Sequence, residues 1–269
     1  MEDMVRKLPV VPLLASFCLF GAASIFAETN DDGTIKRMRL QGIKHTTERA
    51  ILWVEKGYLS NREIRDFGSV VDRGIVRAEA YLRRPFDREH HGENRIHYFI
   101  RGGRFASHVY GGYHQRRYRR PVVFLSFVKE GKAPYLHETV HILAWDFHAL
   151  WIREGLAVYL NDKLGGYRAF PNFGRDIDEC AKEYITDTWG GTLALIGKDG
   201  IPTFSTPEER RTFYVFSGSF VKFLDGEFGT EKLMSIYRTK KVSKTFRDLT
   251  GKDMKNWKQA WLKGLTGQR

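Results

Sequence analysis

Residues 134–163 read PYLHETVHILAWDFHALWIREGLAVYLNDK, and this stretch decides what the chain can build. His137 and His141 stand four apart within an apolar pattern of helical period, Leu136, Val140, Leu143 and Phe147. Residues four apart on a helix lie one above the other, so both imidazoles point the same way at a spacing that one zinc ion bridges. Glu138, one position round from His137, is placed to reach a water at that ion without ligating it. Pro134 suits the first turn of such a helix. A catalytic zinc site takes three protein ligands and keeps one position open, so a third donor is needed.

His148 is the first candidate, seven residues beyond His141. On a continuous helix it would sit about 10 Å further along the axis, too far to share the ion. A chain turn leading to a third histidine needs glycine three residues after His141 and histidine at six; Ala144 and Phe147 occupy those places. Glu154 fits better. A break near residues 148–150 lets a second helix, residues 151–163, fold back and present its first turn to the metal, and carboxylate is an accepted zinc ligand. Gly165 and Gly166 stop that second helix. His148 then reads as a polar residue at a helix end.

The pairing of His137-Glu-Thr-Val-His141 with Trp151-Ile-Arg-Glu154-Gly155-Leu-Ala157-Val-Tyr159 resembles the gluzincin metallopeptidases, the clan of thermolysin and the aminopeptidases. It is most similar to small bacterial members with a short spacer between the two helices. The resemblance continues through Phe213 to Leu224, Phe228-Gly229, and Phe246 to Trp261, and covers about residues 111–265. It implies an α+β, zincin-like fold: N-terminal strands plus a long helix, the two metal helices, and a C-terminal helical lobe across a cleft. It also implies zinc on His137, His141 and Glu154, with Glu138 as general base in peptide-bond hydrolysis. Tyr214 stands at the place of a tyrosine that often stabilises the oxyanion in this clan.

Working outward, the remaining elements follow from local signals. Residues 34–58 look like two extended segments, the second carrying Ala50-Ile-Leu-Trp-Val54. Ser60 and Glu63 form a capping box ahead of the stripe Ile64, Phe67, Val71, Ile75, Ala78 and Leu82, a long helix ended by Pro85. Residues 95–100 and 121–128 read as strands. The second of these is either an edge strand for pairing with an extended substrate or an ordinary core strand. Thr206-Pro207-Glu208-Glu209 starts another helix, with Phe213, Phe216, Phe220 and Leu224 as its apolar face and Gly229 as its end. Shorter helices carrying Met254, Trp257 and Trp261 close the chain.

The first 27 residues have the pattern of an export signal. Arg6 and Lys7 precede an uncharged apolar run, and small residues end it at Ala23 and Ala27. An uncleaved N-terminal anchor is the competing reading, while Phe17 ahead of Cys18 does not suit a lipoprotein site. Residues 28–133 form an N-terminal α/β part, and residues 134–269 the zinc-binding and helical part of the same catalytic domain. A periplasmic or secreted location is expected, with no stable membrane insertion once the signal is gone. Cys180 is then the single cysteine, so no intramolecular disulfide forms.

The formal net charge of +12 is unchanged by removing Glu2, Asp3, Arg6 and Lys7. In an exported chain that excess fits a solvated basic surface or an anionic envelope polymer better than nucleic acid. The cluster Arg116, Arg117, Arg119 and Arg120 reads as a solvated loop or as a site for acidic substrate groups, and Gly111-Gly112 as a turn or a point of close substrate approach. Ser217-Gly-Ser219 lacks the strand-turn-helix setting of a serine nucleophile, and Cys180 has no catalytic context. Two functions therefore compete: a zinc peptidase acting on peptide, protein or a cell-envelope cross-link, and an exported zinc-binding or non-catalytic scaffold that retains the fold. The intact Glu138 favours the peptidase.

Overall fold

Alternation in Ala50-Ile-Leu-Trp-Val54 sorts its side chains between two faces: Ala50, Leu52 and Val54 are fully buried, while Ile51 and Trp53 lie half-buried on the other side. A computed structural model of the chain describes residues 31–110, 120–185 and 190–267. The export signal, Gly111-Gly112, Arg116, Arg117 and Arg119 lie outside the described residues.

Five strands form one mixed sheet: β1 (Ile43–Thr46), β2 (Ala50–Val54), β3 (Ile96–Ile100), β4 (His108–Val109) and β5 (Val122–Leu125), in the order β1-β2-β3-β5-β4. β2, β3 and β5 run parallel, and β1 and β4 lie antiparallel at the two edges. Every residue of β3 and β5 is buried, as parallel strands covered on both faces require. β5 is therefore an interior strand. The edge-strand reading of residues 121–128 is overturned, because β4 pairs along the outer side of β5; among the described residues the sheet ends at β1 and β4.

One face of the sheet is covered by α1 (Asp31–Gln41), whose Ile35 and Met38 pack on Phe99, Val122 and Phe124. Residues 34–41 were expected to be extended; they are helical, with Asp31 and Asp32 in the favourable first turn. Asp32 accepts hydrogen bonds from Tyr110 and from Arg120, each at 3.1 Å. That places the one described member of the arginine cluster in an exposed ion pair.

The other face carries α2 (Asn61–Leu82). Glu63 N donates to Ser60 Oγ at 3.3 Å and Ser60 N to the Glu63 carboxylate at 2.7 Å, so the capping box is complete. The whole stripe from Ile64 to Leu82 is buried. The helix ends at Arg83 in a left-handed conformation, two residues before Pro85.

A short helix, α3 (Arg88–His91), leads into β3. After the sheet come α4 (Tyr135–Leu143), α5 (Leu150–Lys163), α6 (Ile177–Tyr184), α7 (Gly190–Leu195), α8 (Pro207–Tyr237), α9 (Val242–Thr250) and α10 (Met254–Thr266). α8 begins where Thr206 Oγ1 accepts from Glu209 N at 3.0 Å, but the Glu209 carboxylate caps Ser205 N rather than Thr206 N. Gly229 ends the first of two helices that together make up α8, as its sequence position suggests: at φ 77 and ψ 164 it leaves helical geometry, and a second helix starts at once. Among the described residues the larger of two apolar clusters runs from Ala50 in the sheet to Leu265 in α10, and the smaller lies under α1.

Candidate metal centre

Every residue of α4 is buried. Thr139, in the middle of the histidine pair, donates its hydroxyl proton to Tyr135 O at 2.6 Å. Tyr98 of β3 therefore donates to Thr139 Oγ1, also at 2.6 Å, tying the sheet to the helix that carries the histidines. His137 and His141 stand with ring centroids 4.6 Å apart and planes at 84°, as the four-residue spacing dictates.

Residues 144–149 form the break between the two helices. Tyr237 donates to Ala144 O at 2.6 Å, and Leu150 N donates to Gly200 O at 3.0 Å, which fixes where the second helix starts. α5 then runs against α8 at close range. A Cβ on Gly155 would lie 2.4 Å from Ser217 O, so glycine beside Glu154 is a packing requirement.

This geometry brings three ligand atoms together. His137 Nε2 and His141 Nε2 are 3.1 Å apart, and Glu154 Oε2 lies 3.3 Å from the first and 3.4 Å from the second. Glu154 is fully buried, and His141 and His137 nearly so. A tetrahedral zinc site with bonds of about 2.0–2.1 Å separates its ligand atoms by about 3.3 Å. The three groups can hold a metal ion.

Two imidazole nitrogens and a carboxylate oxygen turn on one point, where a metal ion could sit and where, without one, imidazole N–H groups can donate to the carboxylate. Burial first, then the nearby Arg153 guanidinium, pushes the His141 imidazole down to about 3, which favours the neutral ring, the form that ligates a metal. Burial alone would raise the Glu154 carboxyl, but His141 and Arg153 outweigh it and hold the group well below its ordinary value, as carboxylate. Neither Nδ1 of the two histidines has a hydrogen-bond partner among the described residues. The donor set of two nitrogens and one oxygen suits zinc.

Glu138 is buried next to the pair, and burial raises its carboxyl above the usual value, with His137 acting in the opposite direction. Tyr214, on α8, lies with its ring parallel to that of His137 at 6.4 Å. His148 is exposed and outside the ligand group. One participant escaped the sequence analysis: Arg153, only 4 % exposed, places Nη1 3.1 Å from Glu154 Oε1 and its guanidinium over the Phe147 ring at 4.6 Å. Glu154 thus offers one oxygen to the arginine and the other to the histidines. An arginine inside an otherwise apolar helical stretch, Leu150-Trp-Ile-Arg153, was the available signal.

No protein-family model matches the chain, and no curated protein matches it significantly. What the site can do is therefore argued from its own chemistry: a buried carboxylate and two imidazoles able to hold a divalent ion, with an ionisable carboxyl and a phenol beside them.

Proposed function

We propose that the chain is a zinc-dependent metallopeptidase of the gluzincin kind, with His137, His141 and Glu154 as ligands and Glu138 as general base. The observation that carries this reading is the convergence of two Nε2 atoms and one carboxylate oxygen within 3.1–3.4 Å, with Glu138 one position along the same helix. Zinc held there supplies Lewis-acid polarisation of an amide carbonyl and a lowered pKa for water.

The protein's own residues do the rest. The Glu138 carboxylate accepts a proton from the attacking water and passes it to the departing amine nitrogen. A carboxyl raised by burial is better matched to taking and returning that proton near neutral pH than an ordinary glutamate. Arg153 holds Glu154 from its far oxygen, fixing the ligand's orientation in the way outer partners do at metal sites. In this reading Tyr214, whose ring lies parallel to that of His137 at 6.4 Å, donates its hydroxyl to the oxyanion. The outer edge of β4 gives an extended substrate backbone a strand to pair with. Export rests on residues 1–27, and N-terminal sequencing of the mature protein tests it.

The decisive experiment compares the purified chain with Glu138→Gln. We expect about one zinc per chain in both, and a loss of peptide-hydrolysis rate of about 10²–10⁴-fold in the variant. Equal hydrolysis by both removes Glu138 from the reaction. One zinc per chain without hydrolysis of any peptide in a broad library favours the scaffold reading.

A further inference from the structure

Residues 238–267 carry nine lysine and arginine side chains against two acids, Asp248 and Asp253. That is a net +7 of the chain's +12, in about a ninth of its length. The segment folds into α9 and α10, and its packing decides where those charges go. Val242 and Phe246 of α9, and Trp257, Trp261 and Leu265 of α10, are buried. Phe246 meets Trp257 edge-on at 6.2 Å, and Phe228 of α8 meets both rings, at 5.8 and 5.6 Å. With the apolar positions turned inward, the cations are left on the outer surface.

The acids of the segment do not neutralise them. Asp248 pairs with Lys244, Asp253 with Arg247, and Arg238 reaches Asp146 at 3.6 Å. Both arginines are thus engaged. Lys240, Lys241, Lys252, Lys255 and Lys263 are exposed and have no acidic partner among the described residues. Lys258 donates to Ile196 O at 3.0 Å. Burial first, then the charge of Lys198, holds its ammonium below the ordinary lysine value. Like charges gathered in this way repel one another and destabilise the compact state. Leu249, on α9 three residues before Lys252, adds an apolar side chain that is 40 % exposed.

Unneutralised lysines beside an exposed leucine fit one kind of surface. Ammonium groups are mobile point charges, suited to headgroup phosphates that have no fixed arrangement. The guanidinium forks that favour nucleic-acid recognition are already used in ion pairs here. A leucine gains nothing on a nucleic-acid backbone, whereas at a bilayer it leaves water at the boundary between headgroups and acyl chains.

We propose that the outer surface of α9 and α10 docks the chain on an anionic phospholipid membrane, with the lysine ammonium groups against headgroup phosphates and Leu249 at the acyl boundary. The docking surface is separate from the metal centre and does not depend on the peptidase reading.

The test is co-sedimentation of the purified chain with two kinds of vesicle: phosphatidylcholine alone, and phosphatidylcholine with about one third phosphatidylglycerol. The readout is the ratio of the two partition coefficients, which cancels any attachment that ignores lipid charge. Two quadruple variants remove the same charge from different places. One is Lys240→Gln, Lys241→Gln, Lys255→Gln, Lys263→Gln; the other is Lys36→Gln, Lys56→Gln, Lys129→Gln, Lys132→Gln. At about fivefold per lysine, the first is expected to lower the ratio about 100-fold or more. The second should lower it less than about threefold, and zinc content and circular dichroism should be unchanged in both. Leu249→Ser is expected to weaken binding to the anionic vesicles about threefold or more.

Equal losses in the two quadruple variants would assign the effect to net charge and overturn the docking surface. An unmodified chain with no preference for anionic vesicles overturns it as well. Binding to a duplex oligonucleotide that is tighter than to vesicles, lost in the first quadruple variant and indifferent to Leu249→Ser, assigns the lysines to a soluble polyanion and overturns the membrane assignment.

Discussion

Two buried carboxylates on neighbouring helices have opposite surroundings. Asp225 on α8 is ringed by donors: Tyr159 OH at 2.8 Å, Thr230 Oγ1 at 2.9 Å, Lys163 Nζ at 3.2 Å, and the Tyr81 hydroxyl. Glu154 on α5 turns one oxygen toward the Nε2 atoms of two histidines, the three atoms converging within 3.1–3.4 Å of one another. Tyr159 is five residues from Glu154 on the same helix, so one element contributes to both clusters. The difference is the balance of donors and acceptors. The first cluster is complete by itself and joins α2, α5 and α8, whereas the second converges on a point that could hold a metal ion. A buried polar cluster marks a binding site when its members share the same missing partner.

Four substitutions test that contrast. The largest effect belongs to Glu154→Ala, expected to weaken zinc retention by well over about 100-fold in chelator competition, while His148→Ala changes nothing. With zinc removed, the same Glu154→Ala substitution is expected to cost less stability than with zinc bound, because the carboxylate then loses only His137, His141 and Arg153 as partners. Asp225→Asn is expected to behave the other way: about 3 kcal/mol lost in denaturant unfolding, equally with and without zinc. A zinc-dependent cost at Asp225 or a zinc-independent one at Glu154 would erase the distinction between the clusters. Gly155→Ala is smaller, about 1–3 kcal/mol, since the added methyl would lie 2.4 Å from Ser217 O and α5 and α8 must move apart to admit it.

The smallest effect is a pH dependence. Burial alone would raise the Asp225 carboxyl, but the hydrogen bonds from Tyr81, Tyr159, Thr230 and Lys163 outweigh it and leave it below 3.8. A carboxyl depressed on folding stabilises the native state above its unfolded pKa, and that contribution is lost as pH falls through the lower folded value. Acid unfolding below about pH 4 should therefore be shallower in Asp225→Asn than in the unmodified chain, as followed by circular dichroism.

What was legible in the sequence shares a property: it is short-range. The Ser60–Glu63 capping box, the α2 stripe and the four-residue spacing of His137 and His141 are all set within one or two helical turns. Glu154 could be reached because the break in residues 144–149 is short and only one carboxylate opens the next helix. Interactions across long separations left no local pattern. Tyr81 meets Asp225 across 144 residues, and Tyr237 meets Ala144 across 93. β4 is two residues long, below any periodicity signal, so the sequence left the strand of residues 121–128 open between an edge and a core position. α1 shows only two buried positions, Ile35 and Met38, and exposes Leu40, which leaves its helical pattern faint. Arg153 was hidden by its neighbour: beside a candidate ligand, its own charge drew no separate attention.

The most direct measurement is a crystal structure of the purified chain with anomalous scattering recorded on both sides of the zinc absorption edge. A zinc ion at this point gives one edge-specific peak about 2.0–2.1 Å from His137 Nε2, His141 Nε2 and the near oxygen of Glu154. A crystal soaked in zinc that shows no peak there, with a proton shared between His141 and Glu154 instead, would contradict the metal centre and everything built on it.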